Sequence, residues 1–260
     1  MTTSESDTNK ASMNTKIAAK KQVSPLAPMK LTYVTHLPAL CEFLKKSNAT
    51  DSATDYLKTL ICAKPDNVLL RAKELSVQDY EKLLIELLPV ANKEDVQLIV
   101  SHHIDLAVKY DLPVQLSVAE CIEAAQTVTG GVLSQKTLRP TPLPFGVSVH
   151  SLPEAKAAIT HGADWLVLGH LFPSRCKPGL TPRNSEECRH NLKLSATHRI
   201  PIHGIGGINF STYPQLSNDY AGICVMTETM EQTDVESYTK KWREIMADKI
   251  ITTRRTGGLL

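Results

Sequence analysis

A histidine ends an apolar run in the second half of the chain. Residues 165–168 are typical of a buried strand in a parallel sheet, and Gly169-His170 follows them directly. The next loop carries the cationic residues Arg175 and Lys177. A histidine at a strand end beside cationic side chains predicts proton transfer on a small anionic molecule. A purely structural histidine is the alternative, and the residues alone leave it open.

A pair of glycines predicts an anion site. Gly206 and Gly207 follow another predicted strand, and adjacent glycines let backbone N–H groups approach an anion closely. The loop after the last predicted strand begins with Met226 and Thr227, and barrels often bind phosphate with these two loops together. A tight turn without a ligand is the alternative. Glu228 would repel a phosphate unless its carboxylate points away.

Further charged and polar side chains complete the predicted site. Arg71 and Lys73 end a predicted strand, and because alternate residues share a face, both are expected at the mouth of a barrel. The alternative for Lys73 is an ion pair with Glu74 or exposure to solvent. His150 ends the fifth predicted strand, where it contacts substrate or hydrogen-bonds the adjacent loop and helix. Lys177 binds an anion if its loop folds over the site, and is otherwise a surface charge.

The other histidines and the cysteines predict no metal and no cofactor. His102 and His103 are adjacent, so their side chains diverge instead of converging on one ion. The six cysteines include no C-x-x-C pair. Because residues 1–29 lack the apolar core of a secretory signal, the sequence predicts free thiols in a cytoplasmic protein.

The composition is that of an ordinary globular protein. Of the 260 residues, 42% are hydrophobic and 22% are charged, and the net charge is +2. Nucleic-acid binding would call for a clustered basic face, so no nucleic-acid partner is expected. No run approaches the roughly 20 apolar residues that span a bilayer, so no membrane partner is expected either. The sequence leaves open whether the chains form a homo-oligomer.

Short apolar segments alternate with amphipathic ones. About eight strand–helix units favour a TIM (β/α)8 barrel, an α/β fold, over an open doubly wound sheet. We expect one barrel domain over residues 30–249, a disordered tail over 1–29 and a frayed tail over 250–260. The register is obscure from Thr127 to Pro144, where glycines and prolines cluster. The predicted strands are 31–35, 67–71, 96–100, 113–117, 145–149, 165–168, 200–205 and 221–226, and the predicted helices are 38–44, 53–62, 76–90, 104–110, 118–127, 151–160, 185–194 and 235–249.

Several motifs together resemble one known family over about residues 30–247. The motifs are Ser148-Val-His-Ser-Leu-Pro-Glu-Ala155, Gly162-Ala-Asp164, Gly169-His-Leu-Phe172, Cys176-Lys177, Gly179-Leu180, Arg183, Ile200-Pro-Ile202 and Gly204-Ile-Gly-Gly-Ile208. They resemble the thiamine phosphate synthase/TenI superfamily. The Gly-His-Leu-Phe form resembles its thiazole tautomerase branch, since the synthase branch usually has proline in place of the histidine.

The resemblance implies a TIM barrel that acts on a small phosphorylated heterocycle. In the tautomerase branch the histidine that matches His170 is the catalytic acid/base. It aromatises a thiazole carboxylate phosphate without a metal, so the implied enzyme is an isomerase. The resemblance also implies that the glycine loop holds the phosphate, while cationic side chains stabilise the carboxylate.

The first half of the chain departs from the family's pattern. The family's Arg-Glu-Lys after the second strand is Arg71-Ala-Lys73 here, and its Asn-Asp-Arg after the third strand is Ser101-His-His103. In the synthase branch, carboxylates after the third and fourth strands hold Mg²⁺. Here His102 replaces one of them, and no acidic residue follows the fourth strand until Glu120.

Three functions are therefore weighed. The main interpretation is a metal-independent thiazole tautomerase of thiamine biosynthesis, with His170 as acid/base. One alternative is a diverged thiamine phosphate synthase, which the missing carboxylate disfavours. The other is a non-catalytic barrel that binds a thiazole or thiamine phosphate as a regulator. The changed residues after strands two to four motivate it, as does Glu228. His203 stands on the seventh strand where the family has an aliphatic residue, which puts the substrate pocket in question.

Overall fold

The computed structural model describes residues 28–47, 51–128, 139–175 and 179–255. Eight parallel strands pair in chain order, and the eighth pairs with the first, which closes a barrel. The predicted TIM barrel is therefore confirmed. The strands are β1 (Lys30–Val34), β2 (Asn67–Leu70), β3 (Gln97–Ser101), β4 (Val114–Ser117), β5 (Phe145–Val149), β6 (Trp165–Gly169), β7 (Ile202–Ile205) and β8 (Gly222–Val225).

Helices cover the outside of the barrel. The α-helices are α1 (Leu37–Lys46), α2 (Ala53–Cys62), α3 (Val77–Glu94), α4 (Ile104–Tyr110), α5 (Val118–Val128), α6 (Leu152–Thr160), α7 (Ser185–His198) and α8 (Val235–Arg255). Both α1 and α2 follow β1. The connection between β7 and β8, which the structure describes throughout, contains only a 3₁₀ helix, Tyr213–Gln215. A second 3₁₀ helix, Thr227–Glu231, precedes α8.

Polar residues set the starts of four helices. The side chains of Ser52, Ser76, Ser151 and Asn184 each accept a hydrogen bond from a backbone N–H in the first helical turn. These bonds satisfy donors that the first turn of a helix otherwise leaves unpaired. Ser76 and Ser151 are also the residues at which the predicted helices 76–90 and 151–160 begin.

Two helices continue past their predicted ends. Helix α7 runs to His198 instead of Leu194, and α8 runs to Arg255 instead of Lys249. The last turn of each is mostly polar, so the apolar periodicity stops before the helix does. Met29, which the sequence places in the tail, packs against the core. The rest of that tail up to residue 27, residues 129–138 of the obscure segment and residues 256–260 lie outside the described residues.

The inside of the barrel is lined by alternate residues of each strand. Val34, Leu69, Ile99, Val167 and Cys224 form an apolar cluster there, apart from the larger core between the strands and the helices. All five cysteines within the described ranges are free, as predicted for this part of the chain. No helix in those ranges is long and apolar enough to cross a bilayer.

Candidate active site

The residues predicted for the site follow the carboxyl ends of five strands. Because the strands are parallel, these ends share one mouth of the barrel, here called the carboxyl mouth, where α/β barrels place their chemistry. The residues are His170 after β6, Gly206 and Gly207 after β7, Met226 and Thr227 after β8, Arg71 and Lys73 after β2, and His150 after β5. Lys177 lies outside the described residues.

The His170 ring is buried beneath the loop that follows it. The residue is 4% exposed, and Nε2 lies 3.2 Å from the backbone oxygen of Leu180. The backbone N–H of Arg183 donates to the His170 oxygen over 3.0 Å. Leu180 and Arg183 therefore contact both the ring and the backbone of His170.

The glycine turn after β7 permits close contact with the segment after β6. The φ angle is +95° at Gly206 and +68° at Gly207, in the left-handed region that favours glycine. A Cβ on Gly206 would lie 2.3 Å from the Cβ of His170, and one on Gly207 would lie 2.4 Å from the backbone oxygen of Pro173. Phe172 donates its backbone N–H to the Gly206 oxygen over 3.0 Å. This packing explains the two glycines even without a ligand.

The same turn keeps a capacity to bind an anion. Within the part of the chain that the structure describes, the backbone N–H groups of Gly206 and Gly207 donate no hydrogen bond to the protein. Adjacent N–H groups without a protein acceptor are a common way to bind an anion. The geometry is therefore compatible with both predictions for these glycines, an anion site and a tight turn without a ligand.

Glu228 is directed toward α8. Its Oε2 accepts a hydrogen bond from the Tyr238 hydroxyl over 3.3 Å. Burial raises the pKa of Glu228, although hydrogen bonds from Tyr238 and Asn209 act in the opposite direction. Met226, at the end of β8, packs against the apolar cluster inside the barrel.

Arg71 and Lys73 have different surroundings at the end of β2. The Thr35 hydroxyl donates to the Arg71 oxygen over 2.8 Å and accepts from the Arg71 N–H over 2.7 Å, which ties β2 to β1. Arg71 Nη1 is buried with no hydrogen-bond partner among the described residues. Burial and then the Arg71 charge lower the pKa of the neighbouring His36. Lys73 is exposed in a turn, which fits its alternative of exposure to solvent.

His150 joins the ends of two neighbouring strands. Its Nδ1 lies 2.7 Å from the backbone oxygen of Gly169, the residue before His170. Its backbone N–H donates to Glu154 over 2.7 Å at the start of α6. These contacts agree with the second of the two roles predicted for His150, in which it hydrogen-bonds the adjacent loop and helix. The side chain remains exposed, next to the predicted acid/base.

Sequence reasoning missed a polar group at the ends of β3 and β4. His102 Nδ1 lies 2.7 and 2.8 Å from the two carboxylate oxygens of Glu120. Glu120 Oε2 also accepts from the Ser117 N–H over 2.8 Å and from its hydroxyl over 2.7 Å, and the Glu120 N–H donates back to that hydroxyl over 3.3 Å. This is a capping box at the start of α5. Its signature, Ser117-Val-Ala-Glu120, is visible in the sequence, but nothing there places His102 beside it.

This group does not suit Mg²⁺. Burial alone would raise the pKa of Glu120, but hydrogen bonds from Ser117 and His102 outweigh it and lower the pKa. Mg²⁺ prefers free oxygen ligands in near-octahedral geometry, whereas here one position is an imidazole and the carboxylate is already engaged. Within the described ranges, no three His, Cys, Asp or Glu side chains converge closely enough to hold a metal ion. We therefore assign no step to this ion.

His203 lies away from the carboxyl mouth. On β7 it pairs in register with Val167 and with Gly222, the first residue of β8. Its side chain lines a cavity in the amino-terminal half of the barrel. His203 therefore does not contribute to the carboxyl mouth, where the sequence predicts the substrate site. The departure from the family's aliphatic residue at this position lies in a different part of the barrel.

Comparison with known proteins places the sequence in a family. The model of the TMP-TENI family, described as thiamine monophosphate synthase, matches residues 43–229. A thiamine-phosphate synthase of Ruminiclostridium cellulolyticum is 29% identical over 183 residues, which cover 70% of this chain and 82% of that protein. A thiamine-phosphate synthase of Chlorobium luteolum is 28% identical over 225 residues, which cover 85% of this chain and 97% of that protein.

Solved structures share the fold at lower identity. Thiamine phosphate pyrophosphorylase from Pyrococcus furiosus is 23% identical, with a TM-score of 0.65 over 85% of this chain and 96% of that one. KGPDC from Streptococcus mutans is 9% identical, with a TM-score of 0.55 over 87% of this chain and 99% of that one. These likenesses bear on the fold alone. The family match covers well over half of the sequence, and on that ground the chain belongs to the thiamine monophosphate synthase family.

Proposed function

We propose that this protein acts on a phosphorylated thiazole in thiamine biosynthesis, with the phosphate at the Gly206–Gly207 turn. The observation that carries the proposal is this turn, whose two N–H groups have no acceptor among the described residues and which packs against His170. Arg71 supplies a buried, unpartnered guanidinium nitrogen at the same mouth of the barrel. Family membership supports a thiamine-related substrate.

Formation of thiamine phosphate is the first reaction to test. The curated relatives described above are named for it. In this reaction a pyrimidine pyrophosphate and a thiazole phosphate are joined, and pyrophosphate leaves. The His102–Glu120 pair counts against a Mg²⁺-bound pyrophosphate at the ends of β3 and β4. A synthase with these residues has to hold the pyrophosphate with cationic side chains such as Arg71.

Thiazole tautomerisation, an isomerase reaction, is the second candidate, and His170 is the observation that favours it. When Nε2–H donates to the Leu180 oxygen, Nδ1 carries the lone pair, and it has no hydrogen-bond partner among the described residues. His170 takes a proton from one atom of the non-aromatic ring and returns it to another, so protons balance without a co-reactant. Because His170 is buried, this reaction requires that the contacts of Leu180 and Arg183 with His170 open.

Assays on the full-length chain separate these reactions. The first mixes the pyrimidine pyrophosphate with the thiazole phosphate, with Mg²⁺ or with a chelator, and follows thiamine phosphate and pyrophosphate. The second follows deuterium uptake from D₂O into a non-aromatic thiazole carboxylate phosphate. Product in the first assay identifies the synthase, and exchange in the second identifies the tautomerase.

A matched pair of variants tests the role of His170. His170→Asn is expected to lower the exchange rate by about 10²–10⁴-fold if the imidazole is the acid/base. His161→Asn is the control, because His161 also binds a backbone oxygen through a ring nitrogen but lies at the end of α6. Equal exchange in both variants removes His170 from the mechanism.

Binding separates an enzyme from a regulator. Calorimetric binding of the thiazole phosphate without turnover in either assay supports the non-catalytic barrel. The burial of His170 is an observation in favour of that alternative, because a buried ring does not contact a ligand. Absence of both binding and turnover overturns the whole proposal. The single domain over residues 30–249, the cytoplasmic location and any homo-oligomer stay predictions.

A further inference from the structure

A cavity opens at the other end of the barrel, the amino mouth, where the strands begin. Its volume is about 540 Å³, within the range of small-molecule sites. Its walls come from the amino-terminal halves of the strands and from the loops that lead into them. They include Lys30, Asn67, Gln97, Pro113, Trp165 and His203.

Two inward-facing glycines create this space. In TIM barrels bulky branched side chains usually fill the interior. Here a Cβ on Gly146 would lie 2.0 Å from Trp165 Nε1, and a Cβ on Gly222 would lie 2.6 Å from His203 Nδ1. The Trp165 and His203 rings thus lie against the barrel wall, in the volume that side chains at the glycine positions would occupy. The barrel axis is left open between them.

The aromatic wall is held in place by a buried hydrogen bond. Trp165 Nε1 donates to Gln115 Oε1 over 2.8 Å, and Gln115 is 3% exposed. The indole nitrogen is therefore satisfied by the protein, and the ring surface is what Trp165 offers to the cavity. Leu69, Ile99 and Val167 close the cavity on the side of the carboxyl mouth with apolar surface.

Two polar groups in the wall keep free hydrogen-bonding capacity. Asn67 Nδ2 donates to Thr32 Oγ1 over 2.9 Å, and Asn67 Oδ1 has no partner among the described residues. The His203 ring likewise has no hydrogen-bond partner within the described ranges. His203 lies deep in the barrel yet keeps part of its surface accessible, because that surface faces the cavity.

The charges around the cavity favour an uncharged ligand. Burial lowers the pKa of His203 to about 4, so the ring is neutral at neutral pH and offers one donor and one acceptor. The charged residues at the rim are paired or solvated: Lys30 with Asp66 over 3.3 Å, Arg139 with Asp164 over 2.8 Å, and the exposed Asp111. An ionic ligand would find no unpaired opposite charge inside.

We propose that this cavity binds a small, planar, uncharged nitrogen heterocycle, which packs on Trp165 and hydrogen-bonds Asn67 and His203. A flat ring suits the aromatic wall, and ring nitrogens or an amino group match the Asn67 oxygen and the two His203 nitrogens. The site lies at the opposite mouth from Gly206 and His170. It therefore stands independently of the reaction proposed above.

Adenine is the probe, and tryptophan fluorescence of the full-length protein is the readout. The chain has two tryptophans, and the other, Trp242, is fully buried against Phe210 and Tyr213 on the outside of the barrel. Adenine is expected to change the fluorescence saturably, and Trp165→Phe is expected to abolish that change. Calorimetry on the wild-type protein provides the affinity.

Two variants and one further probe test the contacts of the ligand. His203→Leu and Asn67→Leu are each expected to weaken adenine binding about tenfold, the effect of one lost hydrogen bond. His198→Leu, on the exposed end of α7, is the control and should bind as wild type does. Should one variant fail to fold, as judged by circular dichroism, the other decides. Benzoate, a planar anion, is expected not to bind.

Three results would overturn the proposal. The first is no saturable adenine binding up to its solubility limit. The second is unchanged affinity in the folded His203→Leu and Asn67→Leu variants. The third is displacement of adenine by inorganic phosphate, which would place the binding at the glycine turn.

Discussion

His102 Nδ1 lies 2.7 Å from Glu120 Oε1, and this contact joins the end of β3 to the start of α5. Both residues stand in the region where the synthase branch carries its metal-binding carboxylates. In this chain the Glu120 carboxylate is already hydrogen-bonded, to the His102 imidazole and to Ser117. The contact makes this corner of the carboxyl mouth a structural link, and its energetic value can be measured.

Glu120→Gln is expected to lower the free energy of unfolding by about 1–2 kcal/mol, because a neutral amide accepts more weakly from Ser117 and His102. Urea unfolding at neutral pH provides the measurement. Glu123→Gln, exposed on the same helix, is the matched control and should change stability by no more than about 0.5 kcal/mol. Similar losses in both variants would contradict a specific role for the Glu120 contacts.

The same variant predicts a pH dependence. Hydrogen bonds hold the pKa of the folded Glu120 below its usual value although burial opposes them, so its contribution is present above the usual pKa. That contribution is lost as the pH falls through the lowered value. The stability difference between wild type and Glu120→Gln should therefore shrink on acidification. A difference that grows toward acid pH would be inconsistent with the lowered pKa.

Gly206→Ala is expected to destabilise the protein by about 2–4 kcal/mol, from its left-handed backbone and its overlap with His170. Gly179→Ala isolates the backbone part, since Gly179 has φ +77° but nothing within 4 Å of a built Cβ. That control should cost about 1–2 kcal/mol. Chemical denaturation of both variants provides the comparison, and equal costs would show that the His170 contact is unimportant.

Asp66→Asn is expected to cost about 1–3 kcal/mol of stability. Asp66 Oδ2 accepts from the Leu31 N–H and from Arg243 Nη1, both over 2.7 Å, so one carboxylate joins β1 and α8 to the start of β2. An Asn oxygen loses the charge that strengthens both bonds. Asp95→Asn is the control, because the left-handed conformation at Asp95 suits asparagine equally well. Thermal unfolding should separate the two variants clearly.

His203 is expected to make the protein acid-sensitive above the range of its carboxyl groups. Burial lowers its pKa from 6.5 to about 4, so the folded state disfavours the protonated ring. The unfolded chain takes up the proton first, and stability falls as the pH drops from about 6.5 to about 4, by on the order of 3 kcal/mol. His203→Leu should lack this part of the profile. Superimposable profiles in urea unfolding across that range would refute the assignment.

Much of the fold follows from local patterns. The apolar runs of β5 and β6, and the caps at Ser76 and Ser151, are set by neighbours a few residues apart. Eight repeats of strand and helix leave few ways to bury every apolar face, which is why the barrel could be predicted. The placement of His170 and Gly206 at the carboxyl mouth follows from the same repeat, since parallel strands end on one side.

The tertiary structure alone decided which groups meet. Closure of the barrel and the strand register bring His102 to Glu120, His150 to Gly169 and His203 to Gly222, and no local pattern encodes these meetings. The same packing buries His170 under its loop and opens a cavity at the amino mouth. A sequence specifies which residues face inward through short-range alternation. Whether the enclosed space is filled depends on the summed volumes of side chains from eight strands, which only the closed barrel brings together.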